Sequence, residues 1–369
     1  MEYCELRDLV KTWPKYAGCI EVERAPLVTP AFPGTFNLSF TEDLYLKERG
    51  RYVDLDSDLI FSTIQTCVRP NDFELLSGEN NWKYLAAFEM ADLTGAVGLR
   101  SKPDYEKLQR MLVENMVALF ECVGISKNRI YPTYCGGGSV GALTKGKYGF
   151  DFNIPADLLS RNLFIDSGIP SGNVRATFDR STFLSLHLGR PTPWGYRCEI
   201  DVNVGSVQNP VFVDVATVEY LKWNPLFFGD SSRSANIVGL NKLGNGFSAI
   251  VFGLERLCMV VNNLERIQDV DYLKPFYDVL GNKVLAGESL RALHRIYSDV
   301  IGRGLHLGRQ QKVKIRSLVA NLSTDLTEDK MRELLSIHAQ TQPWHNDLKA
   351  NIEPTIANIQ ERRRTMKLR

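Results

Sequence analysis

The sequence predicts an α+β fold, an antiparallel sheet flanked by helices and followed by a C-terminal helical region. Three observations carry that prediction. Residues 51–260 are dominated by short apolar, strand-like runs broken by one long helical pattern. Two of those runs, Thr63–Arg69 (TIQTCVR) and Lys83–Met90 (KYLAAFEM), flank a polar stretch from Pro70 to Asn81, the pattern of an antiparallel hairpin with a long loop. From about Asp269 the apolar period becomes that of helices and stays so to the end. The chain therefore divides into a unit over 1–265 and a helical unit over 266–369.

Residues 1 to 50 mix turns such as TPAFPG with short apolar runs, and read as an entry segment packed on the sheet. The hairpin follows, and its geometry is expected to bring Arg69 and Glu89 together on one face. A guanidinium beside a carboxylate suits a nucleotide: Arg69 can bind a phosphate bidentately, and Glu89 can accept a donor or hold a metal ion. Pro103 to Cys122 is the long helix, with Leu108, Met111, Leu112, Met116 and Leu119 in helical period.

Tyr134–Gly141 (YCGGGSVG) contains the run Gly136-Gly137-Gly138, which lacks the GxxxxGK[ST] spacing of a Walker-type phosphate loop. Close backbone approach to a substrate and a plain flexible turn both fit it. NPVFVD, from Asn209 to Asp214, alternates like a strand, with Phe212 and Asp214 on one side. GFSAIVFGLERL, from Gly246 to Leu257, reads as a buried strand at Phe247–Phe252, a tight turn at Gly253 and a helix with Arg256 in its first turn. Arg256 there can reach a phosphate; a surface arginine at an ordinary strand-to-helix junction is the alternative for this segment alone. Beyond it, Leu290, Leu293, Ile296, Tyr297 and Val300 define one amphipathic helix face, and Leu326–Ile337 holds a second.

TIQTCVR, ND, AFEM, YCGGGSVG, NPVF and FGLERL, in that order, resemble the catalytic domain of the alanyl-tRNA synthetases, which are class II aminoacyl-tRNA synthetases. The glycine-rich segment is closest to the archaeal branch. The likeness covers roughly residues 55 to 260, with a weaker echo at 285–320. It implies the class II fold, ATP and magnesium as cofactors, and formation of an aminoacyl-adenylate. By position, Arg69 matches the arginine that holds the α-phosphate and Asp72 the aspartate of the following loop. Phe88 and Glu89 match the residues that stack on and hydrogen-bond adenine. Arg256 matches the arginine that contacts the γ-phosphate, with Glu255 beside it in the same motif.

Several positions depart from the family pattern. Lys83 replaces an arginine that helps hold the phosphate tail, exchanging a planar fork for a point charge. Ala249 stands where the family has the aspartate that pairs with the substrate's amino group, a loss of about 3–5 kcal/mol when such a partner is removed. Asp214, where the family has glutamine, is a candidate replacement or a strand-end acid facing solvent. Tyr134 takes the place of a pocket tryptophan and Lys145 falls near an acidic position, so the pocket formed with Gly136, Gly137, Gly138 and Asn209 is altered. The substrate is expected to be a small amino acid, with free alanine bound poorly unless a neighbour such as Asp214 supplies the missing charge.

The 369 residues carry a net charge of +1, with 44% hydrophobic and 24% charged content, which suits a folded enzyme with a large core. No run approaches the ~18 apolar residues of a membrane helix, and MEYCELRD lacks a signal-peptide apolar region, so a cytoplasmic location is expected. The seven cysteines (4, 19, 67, 122, 135, 198, 258) include no CxxC pair and read as reduced thiols. His338 and His345 lack zinc-ligand spacing, and no metal site is expected in the protein itself. The cysteine and histidine cluster of an alanyl-tRNA editing domain has no counterpart in this sequence, so the resemblance implies a truncated paralogue without that domain.

Neutrality hides an asymmetry. Residues 289–369 hold 15 Lys/Arg against 8 Asp/Glu, or +7, leaving −6 for residues 1–288. Arg309, Lys312, Lys314 and Arg316 form one cluster; Arg362–Arg364, Lys367 and Arg369 form another. Both suit a phosphate backbone and, equally, solvated helix faces. Ser289–Ala320, with Asp299 and GRQQKVKIR, resembles the start of the family's tRNA-acceptor domain. Its Ser-Asn-Glu segment is replaced by Gly304-Leu305-His306, which argues against selective reading of alanine tRNA.

Two functions stay open at this point. One is amino-acid activation with transfer to an acceptor, either a tRNA or a non-tRNA acceptor such as a carrier protein or small metabolite. The other is a non-catalytic synthetase paralogue that binds nucleotide or tRNA in a regulatory or assembly role. The family implies a homodimer, although its dimer-forming first motif is not legible here.

Overall fold

A computed structural model describes residues 1–13, 19–28, 36, 59–78, 81–96, 105–144, 151–185, 193–227, 237–323 and 325–367. The expectations placed on TPAFPG, Lys145 and Arg369 lie outside the described residues.

Helix α1 (Tyr3–Thr12) opens the chain, and strand β1 (Ile20–Glu21) follows. The hairpin is β2 (Leu59–Val68) and β3 (Ala87–Ala96), joined through short 3-10 turns at Pro70–Ser77 and Asn81–Lys83. Helix α2 (Tyr105–Cys122) is the long helix expected between Pro103 and Cys122; it buries Leu112, Met116 and Leu119. Then come β4 (Ile130–Cys135), β5 (Gly138–Ser139), α3 (Val140–Leu143), β6 (Asn153–Ile154), α4 (Leu158–Asp166), β7 (Arg175–Thr177) and β8 (Phe183–Ser185). Three long strands complete the sheet: β9 (Trp194–Asn203), β10 (Phe212–Phe227) and β11 (Ile237–Gly253).

Among the described residues the main sheet runs β1-β2-β3-β11-β10-β9-β4-β7, with β8 on β9, and is antiparallel except at β1/β2 and β4/β7. Strands 10 to 17 residues long give β2, β3, β9, β10 and β11 enough ladder to hold a fixed register. That register decides which side chains can meet, because successive residues point to opposite faces.

The helical region comprises α5 (Leu254–Val261), α6 (Lys274–Leu280), α7 (Val284–Gly302), α8 (Arg309–Asn321), α9 (Glu328–Gln340), α10 (Asn346–Ala350) and α11 (Ile352–Lys367). Leu290, Leu293, Ile296 and Tyr297 of α7 are buried, as their period predicts, as are Met331, Leu334 and Leu335 of α9. One hydrophobic core runs from Tyr3 and Leu6 through the sheet to Leu293 and Ile359. The fold is thus the α+β architecture expected, an antiparallel-dominated sheet flanked by helices with a helical C-terminal region.

Buried α7 carries polar side chains into that core. Glu288 accepts the backbone N–H groups of Ala86 and Ala87 at 2.8 and 3.0 Å, and pairs with Arg291 and Tyr277. Asp299 accepts the Leu27 N–H at 2.6 Å and pairs with Arg24 at 2.8 Å. Glu288, with donors on both of its oxygens, is satisfied rather than reactive. The seven cysteines are free; Cys67, Cys135, Cys198 and Cys258 are buried. Among the described residues no helix is long and apolar enough to cross a membrane.

Candidate active site

The β2/β3 register settles the geometry of the hairpin. Cys67 lies opposite Phe88 and Thr66 opposite Glu89, and the Arg69 N–H continues the ladder to the Ala86 carbonyl at 2.9 Å. Arg69 has extended backbone, so alternation places it on the Phe88 face, opposite to Glu89. The expectation that Arg69 and Glu89 share a face is corrected accordingly. They differ by an odd step along the ladder, and the long loop gave no hint of register.

Five expected residues do come together on the Arg69 face. Arg69 lies 3.7 Å from Asp72, whose own N–H donates back to the Arg69 carbonyl at 3.0 Å. Burial pushes the Asp72 carboxyl up, partly offset by Arg69 and Arg256, which identifies Arg256 as an electrostatic neighbour. Arg256, in the first turn of α5, donates to the Lys83 carbonyl at 3.1 Å and to the Asp214 carboxylate at 3.0 Å. Its guanidinium sits 5.2 Å from the Tyr84 ring centre. Lys83 donates to the Phe212 carbonyl at 3.2 Å. Arg69, Asp72, Lys83, Asp214 and Arg256 thus form one cluster between the hairpin loop, the start of β10 and the N-terminus of α5.

Gly253 reaches this arrangement at φ −80, and an added Cβ would meet nothing nearer than 4.0 Å. The strand-to-helix turn therefore makes no use of glycine's extra conformational freedom, contrary to expectation.

Beside the cluster, β9 and β10 present a row of ionisable side chains that motif reading missed. Arg197, Glu199 and Asp201 alternate on β9 and face Glu219, Thr217 and Asp214 of β10. Arg197 lies 3.1 Å from Glu199 and 3.7 Å from Glu219, and Thr217 donates to Glu199 at 3.0 Å. Burial pushes Glu199 up to about 7 and raises Glu219, with Arg197 opposing both. Asp201 pairs with Arg175 at 2.7 Å, and Arg175 stacks 5.1 Å from the Phe212 ring. The strict polar alternation in WGYRCEIDVN was the available signal.

Ala249 is buried, and the acid directly across from it is Glu219. Asp214 stands five residues earlier on β10 and already holds Arg256. Register therefore gives Ala249 an acidic neighbour other than the one expected.

The remaining expected residues lie elsewhere. Phe88 is buried in the main core, on the Arg69 face of β3. Glu89, on the other face, is enclosed: Tyr3 and Arg7 of α1 donate to it at 2.9 Å each, and His345 lies 3.1 Å away. Burial alone would raise its carboxyl, but His345 and Arg7 outweigh that and hold it well below the usual range. Glu255 is buried too, accepting the Glu89 N–H at 3.0 Å and the Tyr272 hydroxyl at 2.6 Å. Burial, then the Glu89 charge, push Glu255 up to about 7.

Tyr134 packs against the main core, while its neighbour Thr133 is the β4 residue that donates to the Glu199 backbone. Gly136 donates to Thr177 at 2.7 Å. Gly137 sits at φ +82, where an added Cβ would come within 2.8 Å of the Ala156 nitrogen. Gly138 packs against the Phe178 ring. Asn209 is exposed at the tip of the β9–β10 hairpin, its N–H bound by Ser206 at 3.0 Å.

Three cations at the edge of a sheet whose floor is acidic can hold a polyanion and orient a zwitterion. Two aspartates, Asp72 and Asp214, offer oxygen donors to a hard cation there. Among the described residues no group of three or more His, Cys, Asp or Glu is arranged to hold a metal ion.

No family model matches the chain, and no curated protein matches it. Two solved structures of the pyrrolysyl-tRNA synthetase from Desulfitobacterium hafniense are similar in part. One shares 13% sequence identity, covers 72% of this chain and 71% of that one, and gives a TM-score of 0.36. The other shares 15% identity, covers 73% and 72%, and gives a TM-score of 0.35.

Proposed function

We propose that this chain activates a small amino acid as its adenylate at the expense of ATP and passes the aminoacyl group to an acceptor, in the manner of an alanyl-tRNA-synthetase-like class II ligase. The observation that carries the reading is the convergence of Arg69, Lys83 and Arg256 around Asp72 and Asp214, beside the acid-lined face of β9 and β10. Residues far apart in sequence meet there with the charges a nucleotide and an amino acid require.

In this reading the substrate carboxylate attacks the α-phosphate in line, and pyrophosphate leaves. Arg69 stabilises charge developing on the α-phosphate oxygens, while Lys83 and Arg256 hold the leaving pyrophosphate. Asp214 must release Arg256 as the phosphates arrive. Asp72 and Asp214 are the carboxylates that would hold a magnesium ion brought with the nucleotide, which would further neutralise phosphate charge. No side chain acts as nucleophile. The amino group meets Glu219, which supplies the negative charge that Ala249 does not. Glu89 and Glu255 serve by fixing β3 and α5 rather than by touching adenine. The units 1–265 and 266–369 divide this work into activation and acceptor binding, with tRNA as the acceptor that exposed Arg309, Lys312 and Arg316 of α8 favour.

ATP/pyrophosphate exchange over a panel of amino acids tests the proposal. Amino-acid-dependent exchange is expected, with Arg69→Ala losing about 2–4 kcal/mol of transition-state stabilisation, the scale of one preorganised donor. A folded protein that binds ATP yet exchanges with no amino acid supports instead the non-catalytic paralogue.

A further inference from the structure

The adenine of a bound ATP lacks the partners expected from motif positions. Phe88 is 9% exposed within the main core, and Glu89 is enclosed on the other face by Tyr3, Arg7 and His345. Tyr84, a ring beside the cationic cluster, already faces the Arg256 guanidinium at 5.2 Å and the Lys83 ammonium at 5.8 Å.

A second group of planar side chains stands at the same end of the sheet. Asp214, which holds Arg256, lies opposite Asp201, and Asp201 lies opposite Tyr131, so one row leads from the cluster across β10, β9 and β4. At the end of that row the Tyr131 and Phe212 rings meet edge to face, with centres 5.0 Å apart. The Arg175 guanidinium lies 5.8 Å from the Tyr131 centre and 5.1 Å from the Phe212 centre. It is fixed there by the Asp201 carboxylate at 2.7 Å and the Tyr131 carbonyl at 3.4 Å. Phe212 stands two residues before Asp214, about 7 Å along the strand, and Lys83 donates to its carbonyl at 3.2 Å. The ribose between a base and its phosphates bridges such a span.

Charge and exposure together indicate what this group can hold. The Arg175 charge is matched by Asp201, so a further phosphate gains little there. Its side chain is nonetheless 40% exposed, against 19% for Arg256, and so stays partly open to solution. Arginine planes and aromatic rings beside a cationic groove are surfaces on which unpaired bases stack. We propose that Arg175, backed by Phe212 and Tyr131, is the platform on which the adenine of ATP stacks while Arg69, Lys83 and Arg256 hold its phosphates. The assignment rests on the adenylate-forming reading and gives that site a base subsite built from β4, β7 and β10 in place of β3.

ATP and inorganic tripolyphosphate, each titrated calorimetrically with magnesium into the full chain, separate base from phosphates. Arg69→Ala should weaken both. Arg175→Ala should weaken ATP about fivefold or more, the scale of one stacking partner, and leave tripolyphosphate within about twofold. Arg175→Lys keeps the charge but loses the plane, so it should weaken ATP as Arg175→Ala does. Phe212→Leu, which removes the ring behind the guanidinium, should act in the same direction; if Arg175→Ala misfolds, Arg175→Lys and Phe212→Leu still decide. The platform is overturned, with the phosphate site intact, if the Arg175 variants keep parental ATP affinity, if Arg175→Lys restores what Arg175→Ala loses, or if tripolyphosphate weakens as much as ATP. Failure of the parent chain to bind either probe overturns the platform and the nucleotide site together.

Discussion

Asp214 and Glu219 share one strand yet stand in different electrostatic situations. Asp214 is half-exposed and tied to Arg256 at 3.0 Å; Glu219 is buried across from Ala249 and shares Arg197 with Glu199. One arginine is shared between two acids, one of which is pushed up to about 7, and a substrate ammonium would supply the further positive charge that keeps both ionised. Glu219→Gln should therefore raise the amino-acid KM in pyrophosphate exchange by about tenfold or more, on the scale of losing a charged hydrogen-bond partner. Asp214→Asn should act mainly on ATP. If Asp214→Asn raises the amino-acid KM and Glu219→Gln leaves it alone, the roles are reversed. Arg69 and Arg256 were legible in the sequence because each sits at the end of an element, where position depends little on register. Glu89 was not, since one residue of parity across a long loop moves a side chain to the other face.

The elements show why motifs and periodicity saw different halves of the site. Motif order located the hairpin and the α5 junction, whereas the polar alternation of β9 carries Arg197, Glu199 and Asp201 without belonging to any motif. The glycine loop is read differently again. Only Gly137 of the three has positive φ, and backbone atoms crowd its missing side chain. Gly137→Ala should cost on the order of 3 kcal/mol in urea unfolding, while Gly253→Ala should cost little by the same measurement. In α8, Arg309, Lys312 and Arg316 are exposed at helical spacing, but Arg363 of α11 is spent on the Leu326 and Ser323 carbonyls at 3.1 and 3.2 Å. Only part of the sequence's basic tail is therefore available to RNA. Binding of alanine tRNA and of an unrelated tRNA should be weak, similar, and lost steeply between low and physiological salt. A strong preference for alanine tRNA that survives high salt would show this view of α8 to be wrong.

Across the whole molecule, stability should be acid-sensitive. Burial and neighbouring arginines lower the side chains of His294 and His345 to about 4, against about 6.5 in an unfolded chain. Between these values the unfolded state binds the extra protons, so their contribution is complete above pH 6.5 and declines as pH falls toward 4. The Glu89 carboxyl, held well below its usual range, adds loss at still lower pH. Urea midpoints should fall by several kcal/mol in unfolding free energy between pH 7 and pH 4.5. An unchanged midpoint over that interval would mean the buried histidines do not titrate with unfolding. None of this was visible in the sequence, where the histidines are separated by up to 51 residues and only tertiary packing buries them together.

The carboxylate of Glu288, reaching from α7 to the two N–H groups that begin β3, sets a limit on how this protein can be divided. Glu89 depends likewise on His345. A fragment ending at residue 265 would retain every residue of the cationic cluster and still lack these partners, leaving the strand behind Arg69 with bare backbone donors. Such a fragment should fail to unfold cooperatively, and a separately supplied 266–369 segment should restore the transition. Activation and acceptor binding would then be tasks divided in labour but not in folding.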